Sequence, residues 1–306
     1  MTGNKSRRAF IYQTGLATVG LFFFKKGSSK SWLVGSNNAD RYKIAVADIM
    51  ILKRQKIGEF ELIKELGADG VEVDMGGLGN RESFDNKLAD PIIRKQFLDK
   101  SKELNIQICS LAMTGFYSQS FAKRATYKKN IQDCLDTAKA MKVNIVFLPM
   151  GVNSDLEKQP ELRSVIIERL KVAGEMAKEA NVVIGIETTL NATQELKLLK
   201  EIGSPNIKSY FNFANALDAG RDLCSELMIL GREYICQIHC TDTDGFWLQN
   251  DPKIDMRKVK NTLEKMQWRG WLVIERSRDA KDPRNVRYNF TANTAYMKKI
   301  FQKRDY

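Results

Sequence analysis

From residue 42 onward the chain alternates short apolar runs with longer amphipathic stretches. The apolar runs are rich in β-branched residues and alternate only weakly, which is typical of parallel strands buried on both faces. The stretches between them carry one apolar stripe on a charged background, which predicts helices. The predicted strands lie at residues 42–47, 70–73, 106–110, 143–148, 182–186, 207–211, 234–238 and 271–274.

Eight strand–helix units in about 265 residues predict a (β/α)8 TIM barrel in the α/β class. The alternative is a doubly wound open sheet, which requires a Gly-rich phosphate loop after the first strand. Residues 47–50 contain no glycine, so the barrel is favoured. No Pro/Ser-rich linker divides residues 39–306, which we therefore expect to form one domain. Gly67 and Gly203 follow predicted helices at positions that suit left-handed caps.

The first 38 residues differ in character from the predicted barrel. Residues 6–11 read Ser-Arg-Arg-Ala-Phe-Ile, and a mostly apolar run of 16 residues extends from Ala9 to Phe24. A basic start before a run shorter than the ~20 residues of a membrane span is typical of a signal peptide, and the paired arginines resemble the twin-arginine export signal. We expect residues 1–38 to be a signal peptide and linker of a periplasmic or otherwise exported protein, with no stable membrane span after processing. An uncleaved membrane anchor is the alternative.

Composition excludes several classes of function. His239 is the only histidine of the chain, which excludes enzymes built on clusters of zinc-binding histidines. Half of the net charge of +12 comes from six Lys and Arg residues that precede Asp40. No Lys/Arg stripe interleaved with aromatic residues follows, so we expect no nucleic-acid partner. The five cysteines lie in apolar stretches and form no Cys-x-x-Cys motif, which predicts buried thiols.

Strands five to eight of the predicted barrel each end in, or just before, a polar residue. In this fold the chemistry lies at the C-terminal ends of the strands, and neighbouring strands are about 4.8 Å apart. Two carboxylates, an amide oxygen and an imidazole form an oxygen-rich ligand set that suits Mn²⁺ or Mg²⁺ and tolerates Co²⁺ or Zn²⁺. The sequence therefore predicts one divalent metal ion, held at one arc of the barrel mouth by Glu187, Asn212, His239 and Glu275.

Five segments resemble a known family. They read Gly-Val-Glu-Val-Asp at 70–74, Gly-Ile-Glu at 185–187, Phe-Asn-Phe-Ala-Asn at 211–215, Gln-Ile-His at 237–239 and Leu-Val-Ile-Glu-Arg-Ser at 272–277. Together they resemble the sugar phosphate isomerase/epimerase family of the xylose isomerase-like TIM barrel superfamily, over essentially the whole chain from residue 42. That family holds a divalent metal with Glu, Asp, His and Glu from strands five to eight. Asn212 stands at the position of the usual Asp, and Thr241 at that of a frequent Lys.

The resemblance implies an isomerase or epimerase that abstracts a proton α to a carbonyl while the metal stabilises the enediolate. It assigns base and acid catalysis to Glu187 and Glu275. It further implies substrate contacts near the strand ends, from Glu72, Asn215, Asp242 and Arg276. For Glu72 and Arg276 an ion pair at the barrel rim is the alternative.

The expected substrate is a small, non-phosphorylated sugar or keto-sugar, because phosphosugars are cytoplasmic and no phosphate cradle follows strands seven and eight. A 3-keto-glycoside lyase that acts by β-elimination is the second candidate, since it shares the α-proton removal. A non-catalytic sugar-binding barrel is a third, kept open by Asn212. An apurinic endonuclease is disfavoured because its three-metal site draws on several histidines. The sequence leaves a homo-oligomer open.

Overall fold

The structure is a computed structural model that describes residues 42–302. The predicted signal peptide and linker at residues 1–38 lie outside the described residues. Among the helices of the described segment, none is both long and apolar enough to cross a bilayer.

Eight parallel strands form a closed barrel in which each strand pairs with its neighbours in sequence and β8 pairs with β1. The predicted (β/α)8 fold is therefore confirmed. Every predicted strand is present, with no end displaced by more than two residues. The strands are β1 Lys43–Ala47, β2 Gly70–Asp74, β3 Gln107–Ala112, β4 Ile145–Pro149, β5 Val183–Glu187, β6 Ile207–Asn212, β7 Ile235–His239 and β8 Trp271–Ile274.

Helices surround the barrel, and their ends are specified locally. Asp90 caps α2 ahead of a proline at the first helical position, and Asn191 forms a capping box with Gln194 at α5. The predicted left-handed caps at Gly67 and Gly203 are confirmed, with φ of 80° and 70°. The helices are α1 Glu59–Leu66, α2 Pro91–Leu104, α3 Tyr127–Met141, α4 Arg163–Ala180, α5 Ala192–Ile202, α6 Phe213–Asp218, α7 Leu223–Leu230, α8 Met256–Lys265 and α9 Val286–Phe301.

Two hydrophobic cores follow from the alternation of side chains along the strands. Outward-facing residues such as Ile186, Ile238 and Ile274 pack with the helices in the large core. Inward-facing residues such as Phe147 and Tyr210 form a small core inside the barrel. A strand residue one position beyond an outward-facing one points inward, and this places the polar strand ends inside the mouth.

Gly185 makes the interior packing beneath the mouth possible. A Cβ at this position would lie 2.6 Å from Cys236 Sγ and 2.9 Å from Tyr210 Cβ. Only glycine therefore lets Tyr210 lie against β5. Tyr210 in turn donates a hydrogen bond to Glu72, which connects the barrel core to the residues at the mouth.

Candidate active site

Strand register brings the four predicted ligands together at one side of the mouth. Asn212 and His239 are directly paired on β6 and β7. His239 is also paired with Val273 of β8, so that Glu275 follows two residues further along the strand. Glu187 ends β5, and all four side chains are at least nine-tenths buried. These four residues are called the β5–β8 cluster below.

His239 lies at the centre of the cluster, 1% exposed. Its Nδ1 atom is 3.3 Å from Glu187 Oε2 and 3.7 Å from Glu275 Oε2. On the opposite side of the ring, Nε2 is 3.0 Å from Glu72 Oε1. The other oxygen of Glu72 accepts hydrogen bonds from Ser110 and Tyr210. Glu72 thus fixes the imidazole orientation from below, which leaves Nδ1 directed at the two mouth carboxylates.

The charges of the cluster are strongly coupled. Burial opposes the imidazolium form, but the carboxylates of Glu275 and Glu72 and the hydrogen bond with Glu187 raise the pKa of His239 well above its usual value. Burial acts against ionised Glu72, yet His239 holds the pKa of Glu72 below its usual value. Burial raises the pKa of Glu275, with His239 opposing the shift and Glu187 adding to it. Three buried carboxylates around one imidazole therefore require positive charge at this site.

Asn212 points its amide nitrogen at the carboxylates. Its Nδ2 atom donates to Glu187 Oε2 at 2.8 Å and lies 3.4 Å from Glu275 Oε2. Its Oδ1 atom accepts from the backbone N–H of Ala214 at 2.9 Å and so caps α6. Rotating the amide by 180° would turn its NH₂ group against the Ala214 N–H, so the cap determines which atom faces the cluster.

A divalent metal fits part of this donor set. The Nδ1 atom of His239 and the Oε2 atoms of Glu187 and Glu275 face one another, and the Glu72 contact at Nε2 is the carboxylate–histidine arrangement found behind metal-binding imidazoles. Asn212, in contrast, directs its Nδ2 donor, and not its oxygen, toward these carboxylates. Within residues 42–302, no group of three or more His, Cys, Asp or Glu side chains forms a metal site as it stands. The four ligand assignments stay predictions.

Tyr117 is a member of the site that no sequence pattern selects. It lies in a short 3₁₀ helix after β3, and its hydroxyl donates to Glu187 Oε1 at 3.2 Å. Burial and then the charge of Glu187 raise the pKa of Tyr117 well above its usual value, which keeps the hydroxyl protonated as a donor. Glu187 is consequently held at both oxygens, by Tyr117 on one and by Asn212 on the other.

The predicted substrate contacts differ in accessibility. Glu72 is 2% exposed beneath His239 with both oxygens engaged, a geometry that suits a positioning role. Asp242 is buried and pairs with Lys253 at 2.8 Å. Asn215 donates to the carbonyl of Thr188. Arg276 pairs with Asp244 at 3.2 Å, and its side chain is 40% exposed at the mouth. Their roles toward a substrate stay predictions.

A second group of carboxylates lies across the barrel, at the ends of β1 and β2 and at the start of α1. Asp48, Glu59 and Asp74, called the β1–β2 cluster below, are each 0% exposed. Asp48 accepts backbone N–H bonds from Gln55 at 2.9 Å and from Asp74 at 3.1 Å. Asp74 accepts from the Gly76 N–H at 2.7 Å and pairs with Arg54 at 2.9 Å.

Comparison with known proteins agrees with this architecture. The family model described as xylose isomerase-like TIM barrel matches residues 60–298. No curated protein sequence matches the chain. A crystal structure of 3-keto-D-glucoside 4-epimerase from E. coli is similar with a TM-score of 0.66 at 16% identity, over 85% of this chain and 100% of that one.

Two further solved structures are similar over nearly the same region. A sugar phosphate isomerase/epimerase from Parabacteroides distasonis has a TM-score of 0.65 at 13% identity, covering 87% of this chain and 96% of its own. D-allulose 3-epimerase from Methylomonas sp., in complex with D-allulose, has a TM-score of 0.63 at 13% identity, covering 86% of this chain and 98% of its own. At these identities the solved structures show the shared fold, while the family model covers most of the sequence. The chain belongs to the xylose isomerase-like TIM barrel family.

Proposed function

We propose that this protein is a sugar isomerase or epimerase that removes a proton α to a carbonyl of a non-phosphorylated sugar or keto-sugar. The observation that carries the proposal is the pair of buried glutamates, Glu187 and Glu275, on either side of His239 at the barrel mouth. Within residues 42–302, their hydrogen bonds come from the side chains of Tyr117 and Asn212. The epimerases among the similar solved structures suggest the class of chemistry.

The two glutamates are suited to different roles in proton transfer. Glu275 lies on the other side of His239 Nδ1, 3.7 Å from it, where its carboxyl group can return a proton to the substrate carbon. Glu187 is oriented through both oxygens, by the hydroxyl of Tyr117 and the amide of Asn212, which suits it to accept the α-proton. Each would then exchange its role in the reverse direction.

The metal dependence expected from the family is part of the proposal. Glu187, His239 and Glu275 would hold a divalent ion, Mn²⁺ or Mg²⁺ in view of the carboxylate donors. When bound, such an ion polarises the carbonyl and stabilises the oxyanion that develops on proton removal. With an ion at that position, Nε2–H of His239 would donate to Glu72, 3.0 Å away, and Nδ1 would face the ion.

The charges at the mouth support a neutral substrate. Arg276 and Arg278, which follow β8, both pair with Asp244, and Lys253 pairs with Asp242. A phosphate group at these loops would have to compete with Asp242 and Asp244 for the Arg and Lys side chains that already pair with them. A hydroxyl-rich neutral sugar needs no such exchange and uses polar side chains at the rim instead.

Export through the twin-arginine route is also proposed, on the Ser6–Ile11 string of the sequence. Replacement of both Arg7 and Arg8 by Lys should leave the full-length chain in the cytoplasm, whereas the unaltered chain reaches the periplasm. Cell fractionation tests this, and equal distribution of the two chains would refute the export proposal without touching the enzymatic one.

Incubation with keto-sugars and keto-glycosides in D₂O tests the enzymatic proposal. We expect deuterium at an α-carbon with the sugar skeleton retained, measured by NMR and mass spectrometry in the presence of Mn²⁺. Loss of an aglycone instead would assign the lyase, which shares the first step. The matched control, Glu201→Gln on the outer face of α5, should exchange at the wild-type rate. Absence of exchange and elimination on every substrate would favour a sugar-binding barrel.

A further inference from the structure

The orientation of Asn212 distinguishes two roles for this residue. A metal ligand must present an oxygen, but Asn212 Oδ1 already accepts from the Ala214 N–H at 2.9 Å. The atom that faces the cluster is Nδ2, 2.8 Å from Glu187 Oε2. An N–H group competes with a cation for the same oxygen lone pairs and repels the cation as well.

A reversed Asn212 amide would lose hydrogen bonds both at the start of α6 and in the β5–β8 cluster. An amide reversed to offer its oxygen to a cation would place NH₂ against a backbone N–H, leaving that donor at the start of α6 without its acceptor. The amide would also withdraw its hydrogen bonds from Glu187 and Glu275. An aspartate has no such conflict, because one oxygen can cap the helix while the second binds the ion.

We propose that Asn212 is an N–H donor that bridges Glu187 and Glu275, and that a divalent ion at this site is held by Glu187, His239 and Glu275 alone. The inference rests on the proposed function, because it concerns the metal of the same site. It assigns Asn212 a positioning role: the amide holds the two carboxylates in place with or without an ion, while it lowers their affinity for one.

The charge of the ligand set also makes metal binding weaker with Asn212 than it would be with an aspartate at this position. Glu187 and Glu275 carry two negative charges toward the ion, and an aspartate at position 212 would add a third. Since hard cations bind more tightly as anionic oxygen donors are added, the asparagine makes binding weaker and exchange faster. The site would retain an additional coordination position for water or for a sugar oxygen.

Two variants at position 212 separate the roles. Asn212→Ser keeps an oxygen that can cap α6 and removes the N–H group, while Asn212→Asp keeps the cap and adds an anionic donor. Mn²⁺ binding to the metal-free full-length protein is measured by EPR titration. We expect Asn212→Ser to bind Mn²⁺ as tightly as wild type or more tightly, and Asn212→Asp to bind it about tenfold more tightly or better. A tenfold loss of affinity in Asn212→Ser would overturn the proposal.

Two control variants show what unaltered and abolished Mn²⁺ binding look like in the titration. Asn191→Ser makes the same change at the cap of α5 and should leave Mn²⁺ affinity unaltered. His239→Ala should abolish binding. Proton relaxation by bound Mn²⁺ should report one water fewer in Asn212→Asp than in wild type, because the new carboxylate replaces a water.

The outcome does not depend on turnover, so the inference and the proposed function fail separately. Mn²⁺ binding in wild type that Asn212→Ser retains or strengthens supports the N–H role, whatever the D₂O experiment shows. Absence of Mn²⁺ binding in wild type and in both variants would overturn the inference, even if α-proton exchange were observed.

Discussion

The two carboxylate clusters at the mouth of this barrel look alike in sequence and differ in the groups that their carboxylates contact. In the β1–β2 cluster, the carboxylates of Asp48 and Asp74 accept hydrogen bonds from backbone N–H groups, and Arg54 completes the pairing of Asp74. In the β5–β8 cluster, Glu187 and Glu275 are contacted by the side chains of Tyr117, Asn212 and His239. The first arrangement ties strands to loops through the backbone, whereas the second consists of contacts between side chains.

This difference predicts opposite responses to mutation. Loss of a carboxylate bound by backbone groups leaves buried donors without partners, which destabilises the fold. Loss of one charge among several buried carboxylates relieves repulsion, so stability is preserved while proton transfer is lost. The predictions below test whether mutation lowers stability in the β1–β2 cluster and turnover in the β5–β8 cluster.

The largest effect is expected for Glu187→Gln and Glu275→Gln. Each removes a proton-transfer group, so turnover on the substrate found in the D₂O experiment should fall by about 10³-fold. Thermal unfolding should stay within about 1 kcal/mol of wild type, because the amide fills the same volume without the buried charge. A variant that kept a tenth of wild-type turnover would remove that glutamate from the proton-transfer pair.

Asp74→Ala should show the opposite pattern. It leaves the Gly76 N–H, the Thr114 hydroxyl and the partly exposed Arg54 without their shared acceptor. We expect a loss of about 2–3 kcal/mol of unfolding free energy, measured by urea denaturation. At a temperature well below the unfolding transition, turnover should remain within about threefold of wild type, since this loss changes abundance of the folded state rather than chemistry. Unchanged stability would contradict the structural role.

The sequence predicted the strands and the β5–β8 cluster because both depend on short-range rules. Buried parallel strands are continuous apolar runs, and the alternation of side chains places Glu187, His239 and Glu275 inward once the strands are located. The orientation of Asn212 could not be predicted, since it depends on the N–H of Ala214 at the start of α6. Tyr117 lies in a loop, where no periodicity locates a side chain.

The β1–β2 cluster shows that a position at the end of a strand does not by itself predict the role of a carboxylate. Asp74 ends a strand as Glu187 does, and sequence alone does not distinguish them. What separates them is the path of the following loop: the Gly76 N–H returns to Asp74, and the backbone of Gln55 returns to Asp48. Those contacts exist only after the chain has folded.

A smaller, pH-dependent effect is expected at Glu59. Burial, and then the charge of Asp48, raises the pKa of Glu59 well above its usual value; burial and Asp74 likewise raise the pKa of Asp48 to about 8. A carboxyl with a raised folded-state pKa binds a proton that the unfolded chain releases, so stability falls as pH rises from the unfolded value toward the folded one.

Glu59→Gln removes this contribution. The melting temperature of the variant should fall less than that of wild type between pH 6 and pH 9, and at pH 9 the variant should be the more stable of the two. Asp48 remains in both chains, so some pH dependence should persist up to about pH 8. Parallel melting curves of the two proteins across this range would contradict a protonated Glu59 in the folded state.

The smallest effect is expected for Tyr117→Phe, which removes one hydrogen bond to Glu187 Oε1 and keeps the ring packed against Phe147. Glu187 stays attached to Asn212 through its other oxygen, so its orientation is loosened rather than lost. Turnover should fall about fivefold, corresponding to about 1 kcal/mol, the typical net contribution of one hydrogen bond, because the site keeps its other contacts. The melting temperature should change little, because the ring keeps its packing. A loss of turnover as large as that in Glu187→Gln would instead make Tyr117 a direct proton donor to the substrate.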